Sequence, residues 1–410
     1  MTLSRQRWIP ATIGRAAGGA ALTLLAIAGP MQVAGVRVPP SGVAAPARVM
    51  VLACAVSLLV SALCMPARWD RLELVASGLA ALGVVSVMIM TGSTLLIAIL
   101  LPLLGALHAT RPGARPFATR VRNPALAALF IGLGSAFLAV KGGAVLGQVG
   151  ALGLALGLVA LAGLAPYLDR YDPDEPVASS GLAWTAFFAP PLAVTVTSGI
   201  LPKLQAREAA VFASVCVSLG LVNLAWGVLG AWRAPDLSSA WRRSFLADWG
   251  LALVGFGLLV PNGRGMAGAF ICLLSVVLCR LPLYVYAHPS LAKAPETSEH
   301  RTEEAAAPPS SHRRGPSAAR NLLVGLALAG AAPFAGFAGR LLLLDAAMQL
   351  AWPLALLLVV AMIGWLAHSF RLGVSLGHPQ GRTVAGVGIV LALSGLIGIL
   401  PGLVVALAGY

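Results

Sequence analysis

Ionisable side chains inside long apolar stretches are the residues of this sequence most able to do chemistry. Charge is costly in an apolar medium, so such residues mark candidate functional sites by default. A series of them spaced through the core of a membrane can relay protons or bind ions. The candidates are Lys141, Asp248, Arg280, Arg340, Asp345 and His368.

Arg340 and Asp345 share one apolar stretch. They are five positions apart, which places their side chains about 140° apart around a regular helix, so they would not pair along it. Pro333, Gly336 and Gly339 precede Arg340. We predict a helix break near Pro333–Gly339, which would change that angle, free backbone carbonyls and create a polar pocket. A structural ion pair with a neighbouring helix or subunit is the alternative role of the two charges.

The other candidates lie nearer the ends of their apolar stretches. Asp248 closely follows Arg242 and Arg243 in the sequence and can pair with them. We expect the long side chain of Arg280 to extend to the cytoplasmic interface, and we place His368 near an interface as well. The predicted polar axis or ion pathway comprises Arg340, Asp345, Asp248 and His368.

The sequence predicts no catalytic, cofactor-binding or metal site. It contains no Gly-rich phosphate loop with a lysine, no Ser/His/Asp set and no metal-ligand spacing. Its five cysteines form no CxxC or Cys/His cluster and are typical small apolar helix residues. The polar loop 167–176 is predicted to be a solvated connection. An enzyme acting on lipid substrates is the alternative, and it would use the loop carboxylates Asp169, Asp172, Asp174 and Glu175.

The elements that must position these residues are membrane-spanning helices. Of 410 residues, 59% are hydrophobic and only 10% are charged, whereas a soluble domain carries about 25% charged residues. The mean hydropathy is +0.89. This balance excludes a soluble enzyme, a secreted disulfide scaffold and a disordered protein. The net charge of +14 comes mostly from arginines in short loops, so it indicates membrane topology rather than nucleic-acid binding.

Apolar length and punctuation by Gly, Pro and charge predict an all-α polytopic membrane protein with about 13 transmembrane helices. Single apolar segments of this length form helices because each must satisfy its own backbone hydrogen bonds. The predicted spans are 11–30, 49–66, 72–90, 92–108, 124–140, 144–166, 181–201, 210–231, 244–260, 265–286, 321–349, 352–370 and 383–409.

The distribution of basic residues predicts the orientation. Most of the 28 Lys and Arg residues fall on one side when the N-terminus is placed in the cytoplasm. The positive-inside rule then predicts a multi-pass protein of the inner (cytoplasmic) membrane, with the N-terminus cytoplasmic and the C-terminus outside. We interpret the basic N-terminal segment as the flank of a retained first helix rather than a signal peptide. The Pro- and Ser-rich stretch 287–320 is predicted to be a disordered cytoplasmic linker.

Three stretches resemble the motifs of one known family. LALAGAAPFAGFAGRLLLLDAA (326–347) is similar to LSLAGLPPLAGFxGKFLLFxAA, and GVLGAWRAPDLSSAWRRSFLADWGLALVGFGLL (227–259) is similar to GxLLALxQxDLKRLLAYSSIxxxGYxLLGL. LAPYLDRYDPDEPVASSG (164–181) is a weaker echo of VPFHLWLPDAYEGAPTPVSA. The chain thereby resembles the antiporter-like, proton-translocating membrane subunits of NADH:quinone oxidoreductase (complex I). These are related to subunits of membrane-bound hydrogenases and multi-subunit cation/proton antiporters.

The resemblance implies a fold of about 14 helices with two inverted five-helix repeats, each holding a broken helix. It divides the chain into N-terminal helices (1–70), a first repeat (71–231) and the start of a second repeat (232–286). The polar linker (287–320) and the remainder of the second repeat with the C-terminal helices (321–410) follow.

The charged positions of the family are mostly absent from this sequence. The membrane Glu of the family falls near Pro102 or Leu103. Two of the family's Lys positions fall farther along the chain, in 151–166 and 184–191, and neither range contains a Lys. Only the last basic position survives, as Arg340. Arg stays protonated at any ordinary pH, so it cannot exchange a proton as a desolvated Lys can.

We therefore predict a degenerate antiporter-like membrane subunit of a redox-driven or ion-translocating complex, non-catalytic itself and acting structurally or in coupling. Its expected partners are other membrane and peripheral subunits and the lipid bilayer, with no nucleic acid and no cofactor. The alternative is a stand-alone secondary transporter with a polar site at Arg340 and Asp345.

Overall fold

The computed structural model describes residues 16–24, 32–33, 36–37, 45–64, 68–109, 116–140, 143–168, 183–291, 316–377 and 381–410. Within these ranges the chain is helical apart from turns and one antiparallel pair of two-residue strands, Gln32–Val33 and Val36–Arg37. The predicted all-α architecture is therefore confirmed.

The first half of the chain is a series of helices in the described residues. Residues 16–24 are helical. The helices that follow are α1 (Ala45–Cys64), α2 (Arg68–Met90), α3 (Thr94–Ala109), α4 (Phe117–Ala139), α5 (Ala144–Leu161), α6 (Ala189–Ile200) and α7 (Ala206–Trp232). A π-helical turn, Trp184–Phe188, leads into α6, and a 3-10 turn, Leu201–Lys203, follows it.

The second half holds eight further helices in the described residues. They are α8 (Leu237–Gly257), α9 (Arg264–Ser275), α10 (Leu281–Leu291), α11 (Pro316–Ala329), α12 (Ala335–Leu350), α13 (Trp352–Val374), α14 (Arg382–Ile399) and α15 (Pro401–Leu407). A second π turn, Val276–Arg280, joins α9 to α10. Asp236 starts α8 as its N-cap, because its carboxylate accepts a hydrogen bond from the Ser239 amide.

Eight helical segments among the described residues are long and apolar enough to cross a membrane, and three shorter apolar helices accompany them, Leu74–Met90, Thr94–Ala109 and Ala319–Ala329. A helix lies within each predicted span. The multi-pass architecture is confirmed, whereas the number of spans stays a prediction.

Two predicted spans are interrupted, and the neighbouring helices extend into both ends of the predicted linker. The span 321–349 consists of α11 and α12, and the span 383–409 consists of α14 and α15, with Pro401 starting the second of these helices. Helix α10 continues to Leu291 and α11 begins at Pro316. Both ends of the predicted linker 287–320 are therefore helical, and residues 292–315 lie outside the described residues.

Glycines bring α7 and α8 into backbone contact. A β-carbon at Gly250 of α8 would lie 2.5 Å from the Leu224 nitrogen, and one at Gly227 of α7 would lie 2.6 Å from the Ala247 nitrogen. Small residues at a crossing are the usual device for close helix packing in membranes.

Helix α8 is enclosed by the rest of the fold, and every residue from Ser244 to Gly257 is buried. It is not one of the eight apolar segments that could cross a membrane, because it carries Arg242, Arg243 and Asp248. An enclosed helix tolerates such residues since they face protein rather than lipid. The fold thus provides an interior position for the Asp248 carboxylate.

Candidate functional site

The break between α11 and α12 makes room for Arg340. Gly330, directly after α11, has a left-handed backbone with φ of 62°, and the Ala332–Pro333 peptide that follows is cis. A β-carbon at Gly330 would lie 2.8 Å from Cζ of Arg340. Glycine therefore supplies both the backbone conformation and the space that the guanidinium occupies.

The helix is broken, as the fold prediction required, but the break covers 330–334 rather than Pro333–Gly339. Gly336 and Gly339 belong to the first turns of α12. They permit close packing there, since a β-carbon at Gly336 would lie 2.9 Å from Cα of Gly330 and one at Gly339 would lie 2.9 Å from Sγ of Cys272.

Asp248 lies between two arginines that come from two other helical elements. Its carboxylate forms an ion pair with Arg280, the last residue of the second π turn. Its Oδ1 atom is 3.8 Å from Nη2 of Arg340 on α12. The exposed fractions are 8% for Asp248, 4% for Arg280 and 7% for Arg340. We call these three residues the Asp248 cluster; its formal charge is +1. Asp248 thus meets Arg280 and Arg340, instead of the pairing expected with its sequence neighbours Arg242 and Arg243.

Arg280 is in the interior, so the prediction that it extends to the cytoplasmic interface is wrong. Its Nη2 atom donates a hydrogen bond of 2.9 Å to the carbonyl oxygen of Leu328 in the last turn of α11. Its guanidinium carbon lies 5.0 Å from the ring centroid of Trp365 on α13. Trp365 donates its indole N–H to the same Leu328 carbonyl at 3.1 Å. Carbonyls at a helix end lack partners within the helix, and Arg280 and Trp365 are the partners of the Leu328 carbonyl.

His368 lies beside the Asp248 cluster on α13. Its ring centroid is 5.3 Å from that of Trp365, and the residue is only 4% exposed. The backbone of Ala240 on α8 lies beside its imidazole. Its Nε2 atom has no hydrogen-bond partner among the described residues. His368 is therefore enclosed by protein, between α13 and the start of α8, and its position relative to the membrane interface stays a prediction.

Asp345 lies apart from the other three candidate residues. Its carboxylate pairs with Arg264 at the start of α9, and the two side chains are 41% and 48% exposed. It also accepts a hydrogen bond of 3.0 Å from Nε2 of Gln349. Because α12 is regular over this stretch, Arg340 and Asp345 point in different directions. They do not form one polar site.

A matching break follows α5, and the internal repeat that marks it was missed by the sequence analysis. The chain reads LAGLAP at 161–166 and LAGAAP at 328–333. Gly163 and Gly330 both have positive φ, 65° and 62°, and each motif contains a cis Ala–Pro peptide. The repeated hexapeptide is the signal from which both breaks could have been located.

Neutral groups hydrogen-bond to the backbone of the first break. Trp184 donates its indole N–H to the Leu161 carbonyl at 2.7 Å. The Asn223 side chain accepts from the Ala165 amide at 2.8 Å and donates to the Ala165 carbonyl at 3.2 Å. His108 is the titratable neighbour, with its ring centroid 5.7 Å from that of Trp184. The hexapeptide at the first break thus binds an indole, an amide and the Thr185 hydroxyl, whereas the one at the second break binds an indole and a guanidinium.

The acidic loop and Lys141 lie outside the described residues, so the carboxylates Asp169, Asp172, Asp174 and Glu175 remain without a described position. Within the described part of the chain, no group of three His, Cys, Asp or Glu side chains is placed to hold a metal ion. All five cysteines are buried, free thiols.

No protein-family model and no curated protein matches this sequence. Solved structures do match the fold. A chain of respiratory complex I from Thermus thermophilus with bound NADH has a TM-score of 0.71 at 18% identity, covering 97% of this chain and 93% of that chain. A chain of the membrane-bound sulfane sulfur reductase, an archaeal respiratory membrane complex, has a TM-score of 0.69 at 17% identity, covering 96% of this chain and 73% of that one.

The Mrp complex from Dietzia sp. DQ12-45-1b contains a third similar chain. Its TM-score is 0.65 at 16% identity, and the match covers 97% of this chain and 49% of that one. At such identities the likeness establishes the fold. The fold implied by the three sequence motifs is therefore confirmed.

Proposed function

We propose that this chain is an antiporter-like integral membrane subunit of a multi-subunit redox-driven or ion-translocating complex. Its own proton pathway is degenerate, and it acts structurally or in coupling. Its N-terminus is cytoplasmic and its C-terminus lies outside. The observation that carries the proposal is the Asp248 cluster, a set of fixed charges located where a broken helix meets two other helical elements.

The two cations of the cluster cannot serve as proton carriers. An Arg guanidinium keeps its proton at any ordinary pH, whereas a desolvated Lys can release one. With Arg280 and Arg340 both buried and facing Asp248, the cluster holds a permanent charge pattern. Such a pattern connects α8, the second π turn and α12 mechanically, because separating a buried pair leaves an uncompensated charge.

The first half of the chain supports the same conclusion. The family resemblance leads one to expect a Glu near 102–103 and a Lys in each of the ranges 151–166 and 184–191. This chain has Pro102 and Leu103 at the first place, and neither range contains a charged residue. Leu103 is 54% exposed on the outside of α3. The Trp184 indole, the Asn223 amide and the Thr185 hydroxyl hydrogen-bond to the first break, and none of these groups exchanges protons as a desolvated Lys can.

The solved neighbours support the assignment to a larger assembly, since each is a chain of a multi-subunit membrane complex. A stand-alone transporter with its site at Arg340 and Asp345 is not favoured, because Asp345 is half-exposed and pairs with Arg264.

The test is a purification of the tagged chain from its native membrane in mild detergent, followed by mass spectrometry of the co-purifying proteins. We expect stoichiometric recovery of other membrane subunits together with peripheral, redox-active or ion-translocating partners. A matched purification of an unrelated tagged multi-pass protein from the same membrane removes non-specific contaminants. The proposal would be refuted if the chain were recovered from its native membrane as a lone monomer or homo-oligomer.

A further inference from the structure

One end of the helix bundle carries a group of arginines with few acidic neighbours among the residues that the structure describes. Arg371, in the last turn of α13, donates a hydrogen bond of 3.2 Å to the carbonyl of Ala234 in the turn between α7 and α8. Arg243 of α8 donates to the carbonyl of Gly230 on α7. Arg233 follows α7 directly and is exposed. We call Arg233, Arg243 and Arg371 the arginine rim.

The rim has an excess of positive charge. The stretch from Gly230 to Arg243 contains one acidic residue, Asp236, against three arginines. The Asp236 carboxylate is already engaged, since its two oxygens accept from the amide and the hydroxyl of Ser239 at 2.6 and 2.8 Å. At the opposite end of the bundle the situation differs, because Arg264 is paired with Asp345.

An exposed apolar surface formed by neighbouring parts of α7 and α13 lies next to the rim, and we call it the groove. Trp232 of α7 donates its indole N–H to the Gly364 carbonyl of α13 at 2.9 Å, which holds the two helices side by side. Its exposed apolar side chains are Trp232 and Leu229 on α7, and Ile363 and Leu366 on α13. A Trp beside basic residues at a helix end is typical of the level of the lipid headgroups.

We propose that the arginine rim and this groove bind one anionic phospholipid, with its headgroup phosphate on the arginines and an acyl chain along the groove. Guanidinium groups match phosphate oxygens in geometry and charge. Hydrogen bonds to the backbone already orient Arg243 and Arg371, so less side-chain entropy is lost on binding. A zwitterionic phospholipid offers the same chains but no net charge, and it binds more weakly. This inference requires only that the chain spans a membrane and is independent of the proposed complex.

The probe is phosphatidylglycerol, titrated into the delipidated full-length chain, with any co-purifying subunits, and followed by native mass spectrometry. Phosphatidylcholine with the same acyl chains is titrated in parallel. We expect selective retention of phosphatidylglycerol, and a loss of apparent affinity of about 30-fold in Arg233→Gln/Arg371→Gln. Arg264→Gln is the matched control, an exposed arginine at the opposite end, and it should retain phosphatidylglycerol as the parent protein does. Size-exclusion profiles check folding, and the single variant Arg233→Gln replaces the double variant should the latter aggregate.

Any of four results would overturn the proposal. Equal retention of phosphatidylcholine would mean that the groove binds acyl chains without reading the headgroup. Unchanged affinity in the rim variants, or an equal loss in Arg264→Gln, would place the lipid elsewhere. Displacement of phosphatidylglycerol by millimolar inorganic phosphate would show that the rim is a site for free phosphate.

Discussion

The carbonyl oxygens of Leu161 and Leu328 accept the same kind of hydrogen bond, an indole N–H from Trp184 at 2.7 Å and from Trp365 at 3.1 Å. The two leucines open the repeated LAGxAP hexapeptide. At each break a tryptophan from another helical element thus donates to a terminal carbonyl that its own helix leaves without a partner. At Leu328 the buried Arg280 donates as well. The two breaks therefore have the same backbone features but differ in the charge of the groups bound to this carbonyl.

Trp365 is predicted to stabilise the second break both by this hydrogen bond and by its ring. Trp365→Phe removes the indole donor but keeps an aromatic face for Arg280, so we expect a loss of about 0.5–1.5 kcal/mol. Trp365→Leu also removes the cation–π contact and should cost about 0.5–2 kcal/mol more. Thermal unfolding in detergent, read by loss of the monodisperse size-exclusion peak, measures the order of the two variants.

Trp184→Phe is the matched control, since it removes the corresponding hydrogen bond at the break without a cation. It should cost more than Trp365→Phe, about 1–3 kcal/mol, because the Leu161 carbonyl loses its side-chain donor whereas the Leu328 carbonyl keeps Arg280. Equal stability of Trp365→Phe and Trp365→Leu would contradict a stabilising contact between Arg280 and the ring.

Asp248 is predicted to be the residue of the Asp248 cluster least tolerant of change. Asp248→Asn keeps the shape but leaves Arg280 and Arg340 buried without a counter-charge, and breaking a buried pair in this way costs about 3–5 kcal/mol. Asp345→Asn removes a carboxylate from a half-exposed pair and should cost about 1 kcal/mol or less. Chemical unfolding of both variants in the same detergent compares the two losses.

A double variant separates the charge effect from a general packing defect. Asp248→Asn/Arg280→Gln removes one charge of each sign and should recover part of the stability that Asp248→Asn loses. No recovery, together with a mild effect of Asp248→Asn alone, would mean that the ion pair contributes little.

Much of the fold could be predicted from the sequence because the relevant physics is local. An apolar run near 20 residues must satisfy its backbone bonds as a helix, and a helix lies within every predicted span. A proline with nearby glycines identified the break before Arg340. The break was expected to change the angle of about 140° between Arg340 and Asp345. It does not, because both residues lie in α12 after the break, and they have different partners.

The composition of the site could not be predicted because its residues come from different helices. Linear spacing does not say which faces of α8, α12 and the second π turn meet, so the partners of Asp248 stayed open. Arg280 was expected near a helix end since the apolar run stops at 286, yet helix α10 continues to Leu291. The charge therefore lies inside this helical segment, beside the Asp248 carboxylate and the Leu328 carbonyl.

Arg340→Lys tests whether the proton pathway is degenerate. If one titratable Lys were all that the second break lacked, this variant would alter the number of protons moved per turnover of the purified complex in proteoliposomes. We expect no change, because the positions in 151–166 and 184–191 hold no Lys to complete a relay. Arg264→Lys, at an exposed pair, controls for the substitution itself. A changed stoichiometry in Arg340→Lys alone would show that a working relay surrounds this position.

Gly330 is predicted to be required for two separate reasons, its backbone conformation and the guanidinium beside it. Gly330→Ala places a β-carbon 2.8 Å from Cζ of Arg340 at a φ of 62°. Gly263→Ala is the matched control, because Gly263 has a φ of 66° and nothing within 4 Å of an added β-carbon. The control should lose about 1–2 kcal/mol from left-handed strain, and Gly330→Ala should lose at least about 1 kcal/mol more from overpacking. Equal losses of stability in a detergent unfolding assay would show that the Arg340 guanidinium moves aside at no cost. The close fit between Gly330 and Arg340 would then have no role in holding Arg340 against Asp248.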